Sequence, residues 1–179
     1  VTSIGDWAFH YCSSLETITI PSSVTSIGQN PFAFCDCYLK INLDSYNSKY
    51  YMVDNILFTK DQKTLICCVD KFHKTTYTIP SSVASIDDYA FFHHYFLEEI
   101  TISSSVTSIG RNPFACCSKL GKINVDPNNS KYASIDDVLF TKDLKTLICC
   151  ASKHERNTFS IPSSVTSIED YAFSCCSSL

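Results

Sequence analysis

The 11 cysteines are the residues of this sequence best suited to chemistry, as nucleophiles, disulfide partners or metal ligands. Four of them, and one histidine, occupy one position relative to a recurring valine: Cys12, Cys35, His94, Cys117 and Cys176. A small, weakly polar side chain that recurs at one position is typical of a buried structural site. We therefore predict that most of the cysteines are free, buried, structural thiols. Disulfides or a metal site are the alternatives.

The spacing of the cysteines argues against zinc. Zinc sites use spaced pairs such as Cys-x-x-Cys, whereas Cys67-Cys68 and Cys149-Cys150 are adjacent pairs whose side chains point to opposite faces of a strand. Cys35 and Cys37 form a single weak exception. Cys12 and Cys35 share one position of successive repeats, so we expect this pair to lie nearest to disulfide range, although parallel Cβ directions disfavour the bond.

The other ionisable residues form no catalytic pattern. His93 and His94 are adjacent, so their side chains diverge in regular structure. The sequence has no nucleophile elbow and, with only 4 glycines, no glycine-rich phosphate loop. We interpret the acidic pairs as solvated loop residues, with weak calcium contact as the alternative: Asp87-Asp88, Asp136-Asp137 and Glu169-Asp170. We predict no enzyme activity, no cofactor and no metal site.

Composition limits the class of protein and of partner. Hydrophobic residues make up 45% of the chain, which is enough for a packed core. A net charge of −4 argues against a nucleic-acid partner, which needs clustered lysine and arginine. The sequence lacks the run of about 20 apolar residues that spans a bilayer, and no secretory signal is visible in it. It opens and stops within a repeat, so we expect a segment of a longer array.

A repeat organises the whole sequence. It begins with Val1-Thr-Ser-Ile-Gly and restarts at Val24, Val83, Val106 and Val165. Short units (1–23 and 83–105) alternate with long units (24–82 and 106–164), so one full period runs from Val1 to Val83 and the next from Val83 to Val165. A fixed period of this kind is typical of a solenoid, in which stacked units share one continuous core. We predict a single repeat solenoid over residues 1–179.

Each short unit predicts one strand and one turn. Residues 17–20 alternate polar and apolar side chains, which is typical of a strand with one buried face, and Pro21 ends it. Gly5-x-x-Ala8-Phe9 predicts a short helical or 3₁₀ turn on the opposite side. Stacking gives a parallel sheet of about six strands. Its apolar ladder consists of Leu15, Ile18 and Ile20, then Tyr38, Ile41 and Leu43, then Leu97, Ile100 and Ile102, then Leu120, Ile123 and Val125.

The long units contain inserts, which span about 47–73 and 129–155. In each insert two apolar runs flank the segment Thr-Lys-Asp-x-Lys-Thr, which predicts a protruding β-hairpin. Gln62 and Leu144 occupy the variable position of that segment. Glycine would suit a left-handed residue there better than either of them.

The pattern Cys-x-x-Leu-x-x-Ile-x-Ile-Pro-x-x-Val-x-x-Ile-x-x-x-Ala-Phe resembles the BspA-like leucine-rich repeat family, over essentially the whole chain. The insert motif Leu-Phe-x-Lys-Asp-x-Lys-Thr-Leu-Ile resembles one that recurs within that family. Departures are Asp44, Ser103 and Asp126 in place of the strand-ending proline, and the aromatic run at 92–96. The resemblance implies a surface or secreted adhesin that binds host matrix or cell-surface proteins.

The open face of the predicted sheet is the surface that we expect to contact a protein partner, since solenoids bind through such faces. Its polar positions are Thr17, Thr19, Lys40, Asn42, Thr76, Thr78, Glu99, Thr101, Lys122, Asn124, Thr158 and Ser160. Rows of threonine and serine also keep a sheet surface soluble. The alternative function is therefore a structural spacer array with no ligand of its own. Neither function involves nucleic acid or direct insertion of this segment into a membrane.

Overall fold

Sixteen short strands make up the regular structure of the computed structural model, which describes residues 1–35, 39–69, 74–153, 157–177 and 179. In chain order they are β1 (Ser3–Ile4), β2 (Thr17–Ile20), β3 (Ser26–Ile27), β4 (Lys40–Leu43), β5 (Tyr50–Val53), β6 (Ile56–Thr59), β7 (Thr64–Cys68), β8 (Thr76–Thr78), β9 (Ser85–Ile86), β10 (Glu99–Ile102), β11 (Ser108–Ile109), β12 (Lys122–Val125), β13 (Tyr132–Ile135), β14 (Val138–Thr141), β15 (Thr146–Cys150) and β16 (Ser167–Ile168). The chain coils so that equivalent strands stack, and the predicted solenoid is confirmed.

The open-face sheet, which consists of β2 with β4 and of β8 with β10 and β12, forms one side of the solenoid. All of its strands pair in parallel, with Thr17 beside Lys40 and with Glu99 between Thr76 and Lys122. Each pairing step equals the length of one short unit. Equivalent positions of successive coils therefore lie side by side, as the period predicts.

The open-face sheet differs from the prediction in its continuity. Within the described residues it has two pieces and five strands, because β4 and β8 do not pair. Phe159-Ser-Ile-Pro162 matches the strand pattern Ile18-Thr-Ile-Pro21 and predicts a further strand, but residues 159–162 are not in a strand. The equivalent strand β8 is held in place by β10, the same element one coil further along the chain. Among the described strands none stands beside 159–162 in the way that β10 stands beside β8.

Short Ser-Ile strands form the second side, where β1 pairs with β3 and β9 pairs with β11. The last strand of each insert joins this side, since Thr64 pairs with Ser85 and Thr146 pairs with Ser167. Each insert is thus a three-stranded antiparallel meander, β5–β7 or β13–β15. The predicted hairpins are present as β6–β7 and β14–β15. The second strand of each hairpin also pairs with a Ser-Ile strand and so forms part of the second side.

Five turn segments form the third side: 5–12, 28–35, 87–94, 110–117 and 169–176. Within the first, Cys12 N donates to Phe9 O in a tight turn, while Phe9 N donates to Pro31 O of the next segment. Trp7 and Tyr11 have φ of 54° and 58°. These left-handed residues interrupt helical hydrogen bonding. The described residues therefore contain hydrogen-bonded turns and no helix at the positions where the sequence predicts short helical turns.

The core runs along the inside of the three sides. Ile20, Ile100, Ile102 and Leu97 from the predicted ladder are fully buried. Burial of such a side chain stabilises the fold by about 1.5–3 kcal/mol. Tyr38, predicted for this ladder, lies outside the described residues, as do the ends of the inserts at 70–73 and 154–155. The insert strands contribute Ile56, Phe58 and Leu65 to the buried cluster that contains Leu97, Ile100 and Ile102.

Candidate binding surface

Two rows of polar side chains run across the open-face sheet. One row follows Thr17 and Lys40 in the first piece and Thr76, Glu99 and Lys122 in the second. The other row follows Thr19 and Asn42, then Thr78, Thr101 and Asn124. The strands bring these ten residues into register because alternate side chains of a strand share one face. Thr158 and Ser160 are exposed but lie outside any strand.

All twelve predicted positions are accessible to a partner. Glu99, Thr101 and Asn124 are half-buried and the others are exposed. The apolar residues between them, such as Ile100 and Ile123, are buried on the opposite face. The alternation follows from the strand pleat, and it leaves a surface that consists of hydroxyl, amide and isolated charged groups.

Glu99 contacts two polar side chains of the neighbouring strand in the piece of the open-face sheet formed by β8, β10 and β12. Lys122 Nζ lies 3.6 Å from Glu99 Oε1 on the neighbouring strand. Asn124 Nδ2 donates to the same carboxylate oxygen. The two charged side chains are 37% and 57% exposed, for Glu99 and Lys122 respectively, so their attraction is screened by water and contributes at most about 1 kcal/mol. The pair therefore presents adjacent opposite charges at the surface.

An open groove beside β4 is a feature that the repeat pattern does not predict. β5 crosses close to β4, and the groove between them is lined by Asn42, Tyr51, Met52 and Lys60. Lys60 Nζ donates to Asn47 O at 2.9 Å, which holds the lysine across the groove end. The aromatic and amide side chains there extend the polar row of the first piece. The repeated Asn-Ser-Lys-Tyr of both inserts is the sequence signal that could have marked this crossing.

No disulfide joins any two of the ten cysteines within the described residues. Cys35 and Cys117 are buried, and each Sγ donates at 3.0 Å to a carbonyl of the preceding coil, that of Phe9 and of Phe91 respectively. Burial raises the pKa of Cys117 far above its ordinary value. A neutral thiol that donates to a buried carbonyl suits a structural role. Cys37 lies outside the described residues.

The acidic pair Asp87-Asp88 is part of the packed structure and not a solvated loop. Asp88 forms an ion pair with Arg111. Asp87 is half-buried, and burial raises its pKa. Among the described residues, no three or more histidine, cysteine or acidic side chains are grouped to hold a metal ion. Nor does any helix within those residues have the length and apolarity of a membrane span.

Solved bacterial structures resemble this fold. A leucine-rich cell surface protein from Faecalibacterium prausnitzii is 30% identical with a TM-score of 0.73, over 100% of this chain and 50% of that one. The pneumococcal vaccine antigen PcpA is 26% identical with a TM-score of 0.63, over 72% of this chain and 32% of that one. A leucine-rich repeat protein from Eubacterium ventriosum shares the fold, at 24% identity and a TM-score of 0.59, over 97% and 42%.

This chain thus spans between about a third and a half of the length of those structures. No curated protein matches it significantly. The sequence matches six copies of the family model described as BspA type leucine rich repeat region, over residues 1–64 and 67–179. Because the repeat pattern, the stacked coils and this match agree over almost all of the chain, the protein belongs to the BspA-type leucine-rich repeat family.

Proposed function

We propose that this chain is a protein-interaction module of a surface or secreted protein, and that it adheres through the open-face sheet. The partner is a protein of the host matrix or of a cell surface, as the family resemblance implies. A repeat solenoid offers a broad surface in which many weak contacts add up. The similarity to a described cell surface protein and to a vaccine antigen supports the location.

The observation that carries the proposal is the register of the two polar rows. Ten exposed or half-buried side chains lie on five parallel strands, with Lys40 in one piece and Glu99 and Lys122 in the other. Charges that stand among hydroxyl groups supply most of the specificity that such a surface can offer. A net charge of −4 does not favour nucleic acid as the partner.

The test replaces the three charged side chains together. The variant Lys40→Ala, Glu99→Ala, Lys122→Ala leaves the buried ladder untouched, and each surface change alters stability by about 0.5 kcal/mol or less. We expect weaker binding to matrix proteins or cell surfaces, with a nearly unchanged melting temperature. The matched control is Lys63→Ala, Lys145→Ala, Glu169→Ala, which removes the same charges from exposed positions directly next to the second-side strands β7, β15 and β16.

A spacer array is the second candidate. Glu99 already forms an ion pair with Lys122 and accepts a hydrogen bond from Asn124, so these polar groups have partners without a ligand. If neither triple variant changes binding, the spacer function is the better account. If only the control loses binding, the second side is the contact surface and the assignment to the open-face sheet is wrong. Ile100→Ala, at a fully buried position, should cost about 2–5 kcal/mol and reduce binding only together with stability.

A further inference from the structure

Two cysteines that the repeat position does not single out lie against each other. Cys175 Sγ is 3.3 Å from Cys116 Sγ, although the residues are 59 positions apart in sequence. The two sulfur atoms are not bonded; Cys175 is exposed and Cys116 is half-buried. The sulfur atoms need to approach by about 1.3 Å to reach the length of a disulfide bond. The structure therefore brings Cys116 and Cys175 into reach of each other.

The contact arises from the way in which the turn segments meet across an insert. We call the meeting of segments 28–35 and 87–94 the first joint, and that of 110–117 and 169–176 the second joint. At the first joint the ring centroids of Phe34 and His93 are 3.9 Å apart. Cys116 and Cys175 occupy the positions of Phe34 and His93 one full period later, so they are the equivalent pair at the second joint.

The backbone gives both pairs the same orientation. Phe34 and His93 have φ of 55° and 60°, and Cys116 and Cys175 have φ of 60° and 63°. In each joint a left-handed residue turns its side chain toward the facing segment. Aromatic rings therefore bridge the first joint, whereas two thiols stand in the same place at the second.

The neighbouring cysteines have other contacts. Cys117 is fully buried and donates to Phe91 O at 3.0 Å. Cys176 Sγ lies 3.7 Å from Ala151 O and 4.0 Å from Cys150 O. The Cys176 side chain also contacts that of Cys150 in β15. In each of the two Cys-Cys sequences of the joint, the first thiol therefore faces the other segment, and the second packs against Phe91 or against the insert strand.

We propose that Cys116 and Cys175 form a reversible disulfide that closes the second joint, by exchange with a small external disulfide such as oxidised glutathione. The thiolate of the exposed Cys175 attacks the external disulfide; one S–S bond breaks, a mixed disulfide forms, and one small thiol leaves. Cys116 then loses its proton and attacks Cys175 Sγ, which releases the second small thiol. The protein dithiol is oxidised and one external disulfide is reduced to two thiols.

The order of the two steps follows from access. Cys175 is exposed and meets the reagent first, whereas Cys116 is half-buried. Burial, with the neighbouring Cys175 thiol, raises the pKa of Cys116 to about 11. A thiol of that pKa is a slow first nucleophile, but it lies next to the sulfur that it must attack.

The test treats the full chain with oxidised glutathione, then blocks and counts the remaining thiols in denaturant and maps cross-linked peptides by mass spectrometry. We expect two fewer thiols than the 11 of the sequence, and one cross-linked peptide pair that contains Cys116 and Cys175. Dithiothreitol should restore all of them. An unchanged thiol count, a stable glutathione adduct on Cys175, or a cross-link between other cysteines would overturn the proposal.

Two variants sharpen the result. Cys116→Ser should retain one glutathione on Cys175, because no second thiol displaces it, whereas the matched control Cys176→Ser should still form the cross-link. The double variant Cys116→Phe, Cys175→His places the side chains of the first joint in the second. It should fold and lose no thiol pair under the same treatment; loss of two thiols from it would contradict the assignment.

Discussion

The Arg111 guanidinium forms an ion pair with Asp88, in which Nη2 and Nε lie 2.9 Å and 3.0 Å from Asp88 Oδ2. The other oxygen of Asp88 accepts the backbone N–H of Arg111 at 2.7 Å, and Gln29 Nε2 donates to Asp88 Oδ2 at 2.9 Å. Asp88 thus connects three turn segments, since one partner lies 59 residues before it and the other 23 residues after it. Its side chain is 16% exposed, against 61% for Arg111.

We expect Asp88→Ala to lower the free energy of unfolding by about 1.5–3 kcal/mol, because hydrogen bonds to a charged group are lost together. Asp6 is the matched control. It occupies the position of Asp88 one full period earlier, and its Oδ1 accepts the Gln29 N–H at 2.7 Å at an exposed site. Asp6→Ala should cost about 1 kcal/mol or less. Urea unfolding of both variants measures the difference, and equal losses would contradict the linking role of Asp88.

A second prediction concerns Asn129, which is 1% exposed at the start of the second insert. Its Nδ2 donates to Ser103 O and Val106 O at 2.8 and 3.0 Å, and its Oδ1 accepts the N–H groups of Lys131 and Tyr132, each at 2.8 Å. Asn129→Ala should lower stability by about 3 kcal/mol or more, since each unsatisfied buried partner costs about 1–3 kcal/mol.

The neighbouring Asn128 is an exposed control, and Asn128→Ala should leave the melting temperature nearly unchanged. Asn129→Asp keeps the acceptor but faces two carbonyls with a carboxylate, so we expect it to destabilise the fold as well. Thermal melting of the three variants decides the point. An Asn129→Ala variant as stable as the parent would show that water replaces the amide.

A third prediction concerns the meander turns, where Gln62 and Leu144 both have φ of 58°. Replacement by glycine removes the cost of a left-handed backbone in the folded state, about 1–2 kcal/mol. It also gives the unfolded chain more conformational entropy, which lowers stability by about 0.4–1 kcal/mol. Gln62→Gly, at an exposed position, should therefore raise stability by up to about 1 kcal/mol. Leu144 is half-buried against a core cluster. Leu144→Gly also loses this apolar contact and should gain less or be destabilising.

Chemical denaturation of both variants measures this difference, with Gln62→Ala as the control that keeps the left-handed penalty. Gln62→Ala should be close to the parent in stability. A Gln62→Gly variant that is less stable than Gln62→Ala would mean that turn strain is not the relevant energy.

A fourth prediction concerns pH. The Thr59 hydroxyl donates to Asp61 Oδ1 at 2.7 Å and lowers the pKa of that carboxyl below its ordinary value, and Thr141 does the same for Asp143. Because these pKa values are lower in the folded than in the unfolded state, the stabilisation is complete above the unfolded pKa. It is lost as the pH falls through the folded pKa.

The double variant Asp61→Asn, Asp143→Asn should therefore melt at a lower temperature than the parent at pH 7. Below the folded pKa of the two carboxyls, its melting temperature should approach that of the parent. Thermal melting from pH 7 to pH 2 makes the comparison, with Asp6→Asn as a control for the loss of a carboxylate. A constant difference between variant and parent at every pH would rule out titration of these two turn residues as the cause.

The repeat alone allowed much of the fold and the candidate surface to be predicted. Thr17 lies beside Lys40, and Thr76 beside Glu99, because one short step along the sequence returns the chain to the same position one coil further. The turn strain at Gln62 was also predictable, since the local sequence of a tight turn sets its backbone. The predicted strand at 159–162 was wrong, because strand pairing depends on a neighbouring strand that a local pattern does not reveal.

The sequence by itself determined the period, the buried ladder and the outward polar rows, because these depend on local alternation and on equivalence between repeats. Only the tertiary structure decided how the coils meet across an insert. The strand β15 joins the second side through Ser167, and the turn segments before and after its insert, 110–117 and 169–176, then approach each other. The contact between Cys116 and Cys175 follows from that approach, since a separation in sequence does not specify a distance until the path of the intervening chain is known.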